Sequence, residues 1–327
     1  MTAPSLDILG IGNAIVDVIA RAEPELLRRQ GLTPGEMRLV DTAEADALYA
    51  VMGPGTESSG GSAGNTCAVA AGLGAKVGYL GKVADDQLGQ VFAHDMRAIG
   101  VHFPTAPSTG GTPTARCLIL VTPDGQRTMN TYLGACVEFG PSDVDEAAVR
   151  GAKVTYMEGY LFDPPAAQQA FRVAADIARA AGREVSITLS DPFCVSRHRD
   201  AFRAFVQERT DILFANETEI LSLYETESFE EALAAAQREV RVAVLTRSEK
   251  GSIVAMDGQV HEVAAVPTQV VDTTGAGDAY AAGFLAAHTR GLPPGECGRW
   301  GSVAAAKVIA HFGARPQVDL KALVGLG

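Results

Sequence analysis

The sequence predicts an α/β fold: a doubly wound, mostly parallel sheet flanked by helices. Three observations predict it. Short apolar, β-rich runs recur along the chain, and helical patterns of ten or more residues separate them. Two glycine turns fall at the ends of strand-like runs, which is where ligands bind in such sheets. The 327 residues are enough for one large domain with a small appendage.

Strand-like runs lie at 6–12, 77–81, 117–121, 154–157, 185–189, 212–214, 242–246 and 252–255. Helical patterns lie between them, at 63–73, 87–99, 166–181, 229–239, 278–289 and 296–311. Two stretches interrupt the alternation. Residues 13–57 hold a short strand at 37–41, and residues 112–136 read as two strands around the turn Pro123-Asp124-Gly125-Gln126. Neither stretch has linker composition, so both are expected to be insertions in a single domain spanning 1–327.

Twenty-seven basic residues face 39 acidic ones, a net charge of −12, and the cations form no stripe; a nucleic-acid partner is not expected. An anionic substrate must then be met by local N–H groups and a metal. Five cysteines without a C-x-x-C pair point to a reducing compartment. No leader and no apolar run of membrane length is visible, so a cytoplasmic protein with no membrane partner is expected. The six histidines show no metal-binding spacing.

The stretch Val271-Asp272-Thr273-Thr274-Gly275-Ala276-Gly277-Asp278 carries the clearest chemistry. A Gly-Ala-Gly turn opening a helix bares N–H groups at the positive end of the helix dipole, a site for phosphate oxygens. Thr274, Gly275, Ala276 and Gly277 would form this anion hole, and Asp278, one residue on, would take a proton from an acceptor hydroxyl. The same aspartate also suits a plain helix first turn. A second turn, Ser59-Gly60-Gly61-Ser62, leads into a small-residue helix with Asn65 in its first turn. Its amide can donate to and accept from a sugar hydroxyl.

Together with Gly10-Ile11-Gly12-Asn13-Ala14-Ile15-Val16-Asp17 and the strand and acidic turn at 78–89, these motifs resemble the ribokinase-like (PfkB) kinases of sugars and nucleosides, over residues 8–316. The resemblance implies that the two interrupting stretches form a small β-sheet lid over the sugar. It implies ATP and Mg²⁺ as cofactors and a small-molecule acceptor as partner. It also implies that Asp17, with Asn13, Gly60, Gly61 and Asn65, grips the sugar, an ionised carboxylate accepting from two ring hydroxyls at once. Asp17 by itself reads as a turn residue. Glu158 corresponds to an acid placed against the sugar, and reads equally as a strand-end carboxylate.

Asn216 and Glu219 match an Asn-x-x-Glu motif that orders magnesium through water, with no direct protein ligand; their spacing is also that of a capping box. Thr246 and Gly251 match a loop used on ATP phosphates, whereas Arg247 departs from the small residues common there. Arg127, in the lid, could swing onto the γ-phosphate or stay a solvated hairpin arginine. Asp272 and Thr274, with backbone near Ala310 and Gly313, match a monovalent-cation site suited to K⁺.

The opening Gly-Asn-Ala-Ile-Val-Asp and the long segment before residue 57 are similar to adenosine kinases, implying transfer to a nucleoside 5′-hydroxyl. A sugar kinase is the alternative, favoured by Glu158; a nonenzymatic binder would have no use for Asp278. The resemblance leaves monomer and homodimer open.

Overall fold

A computed structural model of the protein describes residues 5–316 and 318–325. Among these residues thirteen strands fall into two sheets. The large sheet contains β1 (Leu6–Ile11), β5 (Val77–Leu80), β8 (Ala152–Glu158), β9 (Glu184–Thr188), β10 (Ile212–Asn216), β11 (Val242–Thr246), β12 (Ser252–Met256) and β13 (Gln259–Val263). Its order is β13-β12-β11-β10-β9-β8-β1-β5; the six strands from β5 to β11 run parallel, and β12 and β13 are added antiparallel at one edge.

The parallel strands are apolar on both faces because both are covered. Ile8, Val154, Ile212, Phe214, Val242 and Val244 enter one core with the helices Ser62–Gly72, Ala276–His288 and Pro294–Val308. Their neighbours Leu9, Met157, Leu213, Ala215, Ala243 and Leu245 enter a second core with the helices Pro165–Ala180, Arg199–Arg209 and Phe229–Glu239. Alternate residues of one strand thus serve opposite layers, which is the doubly wound arrangement.

The small sheet contains β2 (Ile15–Arg21), β3 (Met37–Leu39), β4 (Gly55–Ser59), β6 (Ala115–Val121) and β7 (Arg127–Tyr132), in the order β3-β7-β6-β2-β4. All five strands come from the two stretches that interrupt the βαβ alternation. One reading is corrected here. Asp17 is no turn residue: it sits within β2, opposite Ser58 of β4 and Cys117 of β6. Val16, Val18 and Ala20 are buried while Ile15, Asp17 and Ile19 are partly exposed, the period of two that defines a strand. The strand β13 and the helices Arg199–Arg209 and Glu217–Tyr224 were also not expected.

In the large sheet β1 lies between β5 and β8, so the chain leaves β1 toward one side and returns later on the other. The crevice at such a switch, outside the carboxyl ends of the strands, is the ligand site of open α/β sheets. Asn13 follows β1, while Glu158, Asn216 and Thr246 end β8, β10 and β11. All four face one cleft.

Candidate active site

Two helix N-termini meet at this cleft. The helix Ser62–Gly72 starts from Gly61, whose φ of 80° is left-handed and where a Cβ would lie 2.2 Å from the Asn13 carbonyl oxygen. The helix Ala276–His288 starts from Gly275, with φ 76° and no room for a Cβ against Ala314. The two helices pack against each other. Ser62 and Asn65, three residues apart on one helical face, both reach across to Asp278. The Ser62 hydroxyl donates to Asp278 Oδ1 at 2.7 Å. Asp278 is the third residue of its own helix and half-buried. Burial pushes its carboxyl up to about 6, against the lowering effect of the Ser62 and Asn65 bonds. It is therefore ionised at neutral pH, and a stronger base than an ordinary aspartate.

Of the four N–H groups expected to face an anion, two are bonded within the protein. The Thr274 N–H donates to Asp272 Oδ1 at 2.9 Å and the Ala276 N–H to the Thr273 carbonyl at 3.2 Å. Those bonds shape the turn, and the Gly275 and Gly277 N–H groups at the helix start have no backbone acceptor among the described residues.

On the acceptor side, Glu158 is 1% exposed. One oxygen accepts from Asn13 Nδ2 at 2.9 Å and the other from the Ala63 N–H at 2.8 Å. Its carboxylate thus ties the end of β1 to the N-terminus of the Ser62 helix, across the sheet's switch point. Burial pushes it up to about 7 despite these bonds. Asn13 lines the cleft, and its Oδ1 is buried without a partner among the described residues. The Asp17 carboxylate lies over Gly60, where a Cβ would come within 2.5 Å of Oδ2. Burial raises Asp17 to about 6, against the attraction of Arg127 and Arg315.

Arg315 was not singled out in the sequence. Its Nε donates to Asn65 Oδ1 at 3.2 Å and its Nη1 to Ser59 Oγ at 3.0 Å. With its oxygen held by Arg315, the Asn65 amide turns its NH₂ group toward Asp278. Ser62 was missed likewise. Its only signal was its place three residues before Asn65; Arg315 gave none, because its partners lie some 250 residues away.

On the opposite side of the cleft, Asn216 and Glu219 form the capping box of the helix Glu217–Tyr224: Asn216 Oδ1 accepts from the Glu219 N–H at 2.9 Å, and Glu219 Oε2 from the Asn216 N–H at 2.9 Å. Both also line the cleft. Burial raises Glu219 to about 7. Thr246, Arg247 and Ser248 line the same end; Arg247 stacks 4.1 Å above the Phe229 ring and pairs with Glu217 at 3.0 Å. Gly251 is buried in the turn below and Gly60 lies under Asp17, so neither lines the cleft.

The region of Asp272 differs most from expectation. Arg127 is no solvated hairpin residue: its Nη1 lies 2.5 Å from Asp272 Oδ2, and both side chains are 8% exposed. The Gly313 N–H donates to the same oxygen at 3.1 Å. The Val271 and Asp272 N–H groups donate to the carbonyl of Ile309, next to Ala310. Burial would raise Asp272, but the Thr274, Gly313 and Arg127 bonds prevail and hold it below the ordinary carboxylate range.

The cleft measures about 1240 Å³. That exceeds the usual range of roughly 300–1,000 Å³ for a single small-molecule site, as a site for both a phosphoryl donor and an acceptor requires. Among the described residues no helix is long and apolar enough to cross a membrane.

The comparisons with known proteins agree with this geometry. The sequence model of the pfkB family carbohydrate kinases matches residues 38–320. The solved structure of adenosine kinase from Sinorhizobium meliloti is 53% identical, covers 98% of each chain and superposes with a TM-score of 0.90. A probable sugar kinase from Rhizobium etli CFN 42 is 49% identical over 98% of each chain, with a TM-score of 0.91. An ATP-dependent ribose-1-phosphate kinase from Halopiger xanaduensis is 32% identical over 70% of this chain and 73% of its own length. A parallel-rich sheet with a five-stranded companion, two glycine-opened helices facing one cleft, and these relatives lead to one conclusion: the chain belongs to the pfkB family of carbohydrate kinases, phosphotransferases with an alcohol group as acceptor.

Proposed function

We propose that the protein transfers the γ-phosphoryl group of ATP to the 5′-hydroxyl of a nucleoside, with adenosine as its acceptor. One observation carries this reading. Beside Asp17 the cleft is walled by Ile15, Met37, Leu39, Ile119 and Met129 of the small sheet. Met37 and Leu39 are about half exposed, at 49% and 55%. A free sugar has no surface to cover such a wall; a nucleobase attached beside the diol does. The 53% identity to the Sinorhizobium meliloti adenosine kinase supports the same choice.

In this reading Asp17 and Asn13 Oδ1 accept from the ribose hydroxyls, with Gly60 leaving room for the Asp17 carboxylate and Gly61 for the Asn13 backbone. Asn65 orients the acceptor, and Asp278 takes the 5′-hydroxyl proton as the hydroxyl oxygen attacks the γ-phosphorus and the bond from that phosphorus to the β,γ-bridging oxygen breaks, releasing ADP. The Gly275 and Gly277 N–H groups stabilise the charge on the transferring phosphoryl group. Asn216 and Glu219 suit Mg²⁺ held through water, because their direct contacts are already made with each other; the ion supplies charge neutralisation on the ATP phosphates. Thr246 and Arg247 face the donor. The five thiols, all free and buried, support a reducing, cytoplasmic setting. The small sheet, drawn from 13–57 and 112–136, acts as the lid of a single domain, and the protein works as a monomer or homodimer.

The test is a panel of ATP consumption with adenosine, other nucleosides, ribose, ribose 1-phosphate and fructose. Adenosine should give the highest kcat/KM. A sugar or sugar phosphate ahead of every nucleoside overturns the proposal and favours the reading that the ribose-1-phosphate kinase relative suggests.

A further inference from the structure

Asp272 stands two residues before the anion turn, and its carboxylate is surrounded by donors. Oδ1 accepts from the Thr274 N–H at 2.9 Å; Oδ2 accepts from the Gly313 N–H at 3.1 Å and from Arg127 Nη1 at 2.5 Å. The guanidinium arrives from the first residue of β7, in the small sheet, 145 residues away in sequence. The hairpin turn ahead of it also leans on the C-terminal segment: a Cβ on Gly125 would lie 3.1 Å from the Phe312 ring. One small-sheet residue therefore neutralises the carboxylate that shapes the anion turn.

These residues do not fit a bound monovalent cation. Such an ion needs oxygens turned toward it. Both Asp272 oxygens are already taken, Oδ1 by the Thr274 N–H and Oδ2 by the Gly313 N–H and Arg127. The oxygen that would face the ion is against a guanidinium that is itself 8% exposed, so a second positive charge there would meet unscreened repulsion.

We propose that Arg127 is a built-in cation for the anion turn: a positioning residue that acts through Asp272, so that the turn is charge-balanced only when the small sheet lies on the large one. The proposal rests on the kinase reading of the cleft. It implies a kinase indifferent to added monovalent cations, in which small-sheet docking and the order of the Thr273–Gly277 turn are one event.

The experiment compares wild type, R127A, D272N and the double variant, in potassium and in tetramethylammonium chloride at equal ionic strength. Wild-type kcat should change less than about twofold between the salts, the small effect expected where no site discriminates them. R127A should lose on the order of 10²-fold in kcat, the cost of a turn misplaced by about 1 Å. Low concentrations of guanidinium should restore part of it, and urea, of the same shape without charge, none. Because Arg127 acts through Asp272, the double variant should be no slower than the worse single one. Fully additive losses would mean that Arg127 holds the phosphate directly, and overturn the proposal. So would potassium activation of wild type, or an R127A defect that guanidinium leaves untouched. Ligand-free melting keeps the test independent of the acceptor: guanidinium over urea should raise the melting temperature of R127A and not of wild type. An equal response in both proteins sinks the inference, whereas a protein that melts as expected but phosphorylates no acceptor overturns only the kinase reading.

Discussion

Removing one hydroxyl, Ser62→Ala, tests how the cleft tunes its base. The Ser62 Oγ–Asp278 Oδ1 bond of 2.7 Å is made to the ionised form. A hydrogen bond to a charged group contributes roughly 1.5–3 kcal/mol, and about 1.4 kcal/mol corresponds to one pKa unit. Losing it should lift Asp278 from about 6 to roughly 7–8. The sign follows from the role: the base works ionised, so activity rises with pH through the carboxyl's pKa and then levels off. At pH 7 the ionised fraction falls from roughly 90% to between about 10% and 50%, a two- to tenfold loss of kcat/KM. Near pH 9 the variant should approach wild type. The Asn65 contact remains in both proteins, so the base stays oriented. The assay is kcat/KM for the nucleoside from about pH 5.5 to 9 at saturating MgATP, wild type and variant in the same buffers, so that ionisation of the nucleotide cancels. Asp17, also near 6, contributes a second proton to the acid limb of both proteins, and only one should move. Acid limbs that superpose, or a loss that is equal at every pH, would refute the assignment of Asp278 as the titrating base.

Three further outcomes follow from the same geometry. Asp278→Asn should keep its affinity for ATP in an equilibrium titration yet lose on the order of 10²- to 10⁴-fold in kcat, the usual worth of a positioned base; near-normal turnover would reduce Asp278 to a helix cap. If Asp17 reads the ribose diol, 2′-deoxyadenosine should be rejected by up to roughly 10⁴-fold in kcat/KM; Asp17→Ala should shrink that gap, and an unchanged ratio would mean that the diol is read elsewhere. Arg315→Met should leave Asn65 Oδ1 and Ser59 Oγ without their partner and destabilise the protein by about 1–3 kcal/mol in urea unfolding. It should also lower kcat more than it raises KM for ATP, because a freed Asn65 amide no longer has one orientation; an unchanged kcat would confine Arg315 to structure.

The two glycine turns and the strand-helix alternation were legible in the sequence, although β13 and the helices Arg199–Arg209 and Glu217–Tyr224 were not. The turn from Thr274 to Asp278 and the one from Gly60 to Asn65 announce themselves because a glycine turn opening a helix is specified by neighbouring residues. The βαβ alternation is legible because strands covered on both faces must be apolar, as Val242, Ala243, Val244 and Leu245 are. Asp17 was misread because one charged residue amid four branched apolar ones satisfies a turn pattern and a half-buried strand equally. Only pairing with β4 and β6 decides between them. The contacts that tune the cleft lie beyond any local pattern. Ser62 meets Asp278 across 216 residues, Arg315 meets Asn65 across 250, and Arg127 meets Asp272 across 145. No spacing rule encodes such pairs, because each is set by how two sheets and two helix ends are docked. Tertiary structure alone therefore decided which carboxylates are raised by burial, which is neutralised by an arginine, and which N–H groups remain for a phosphate.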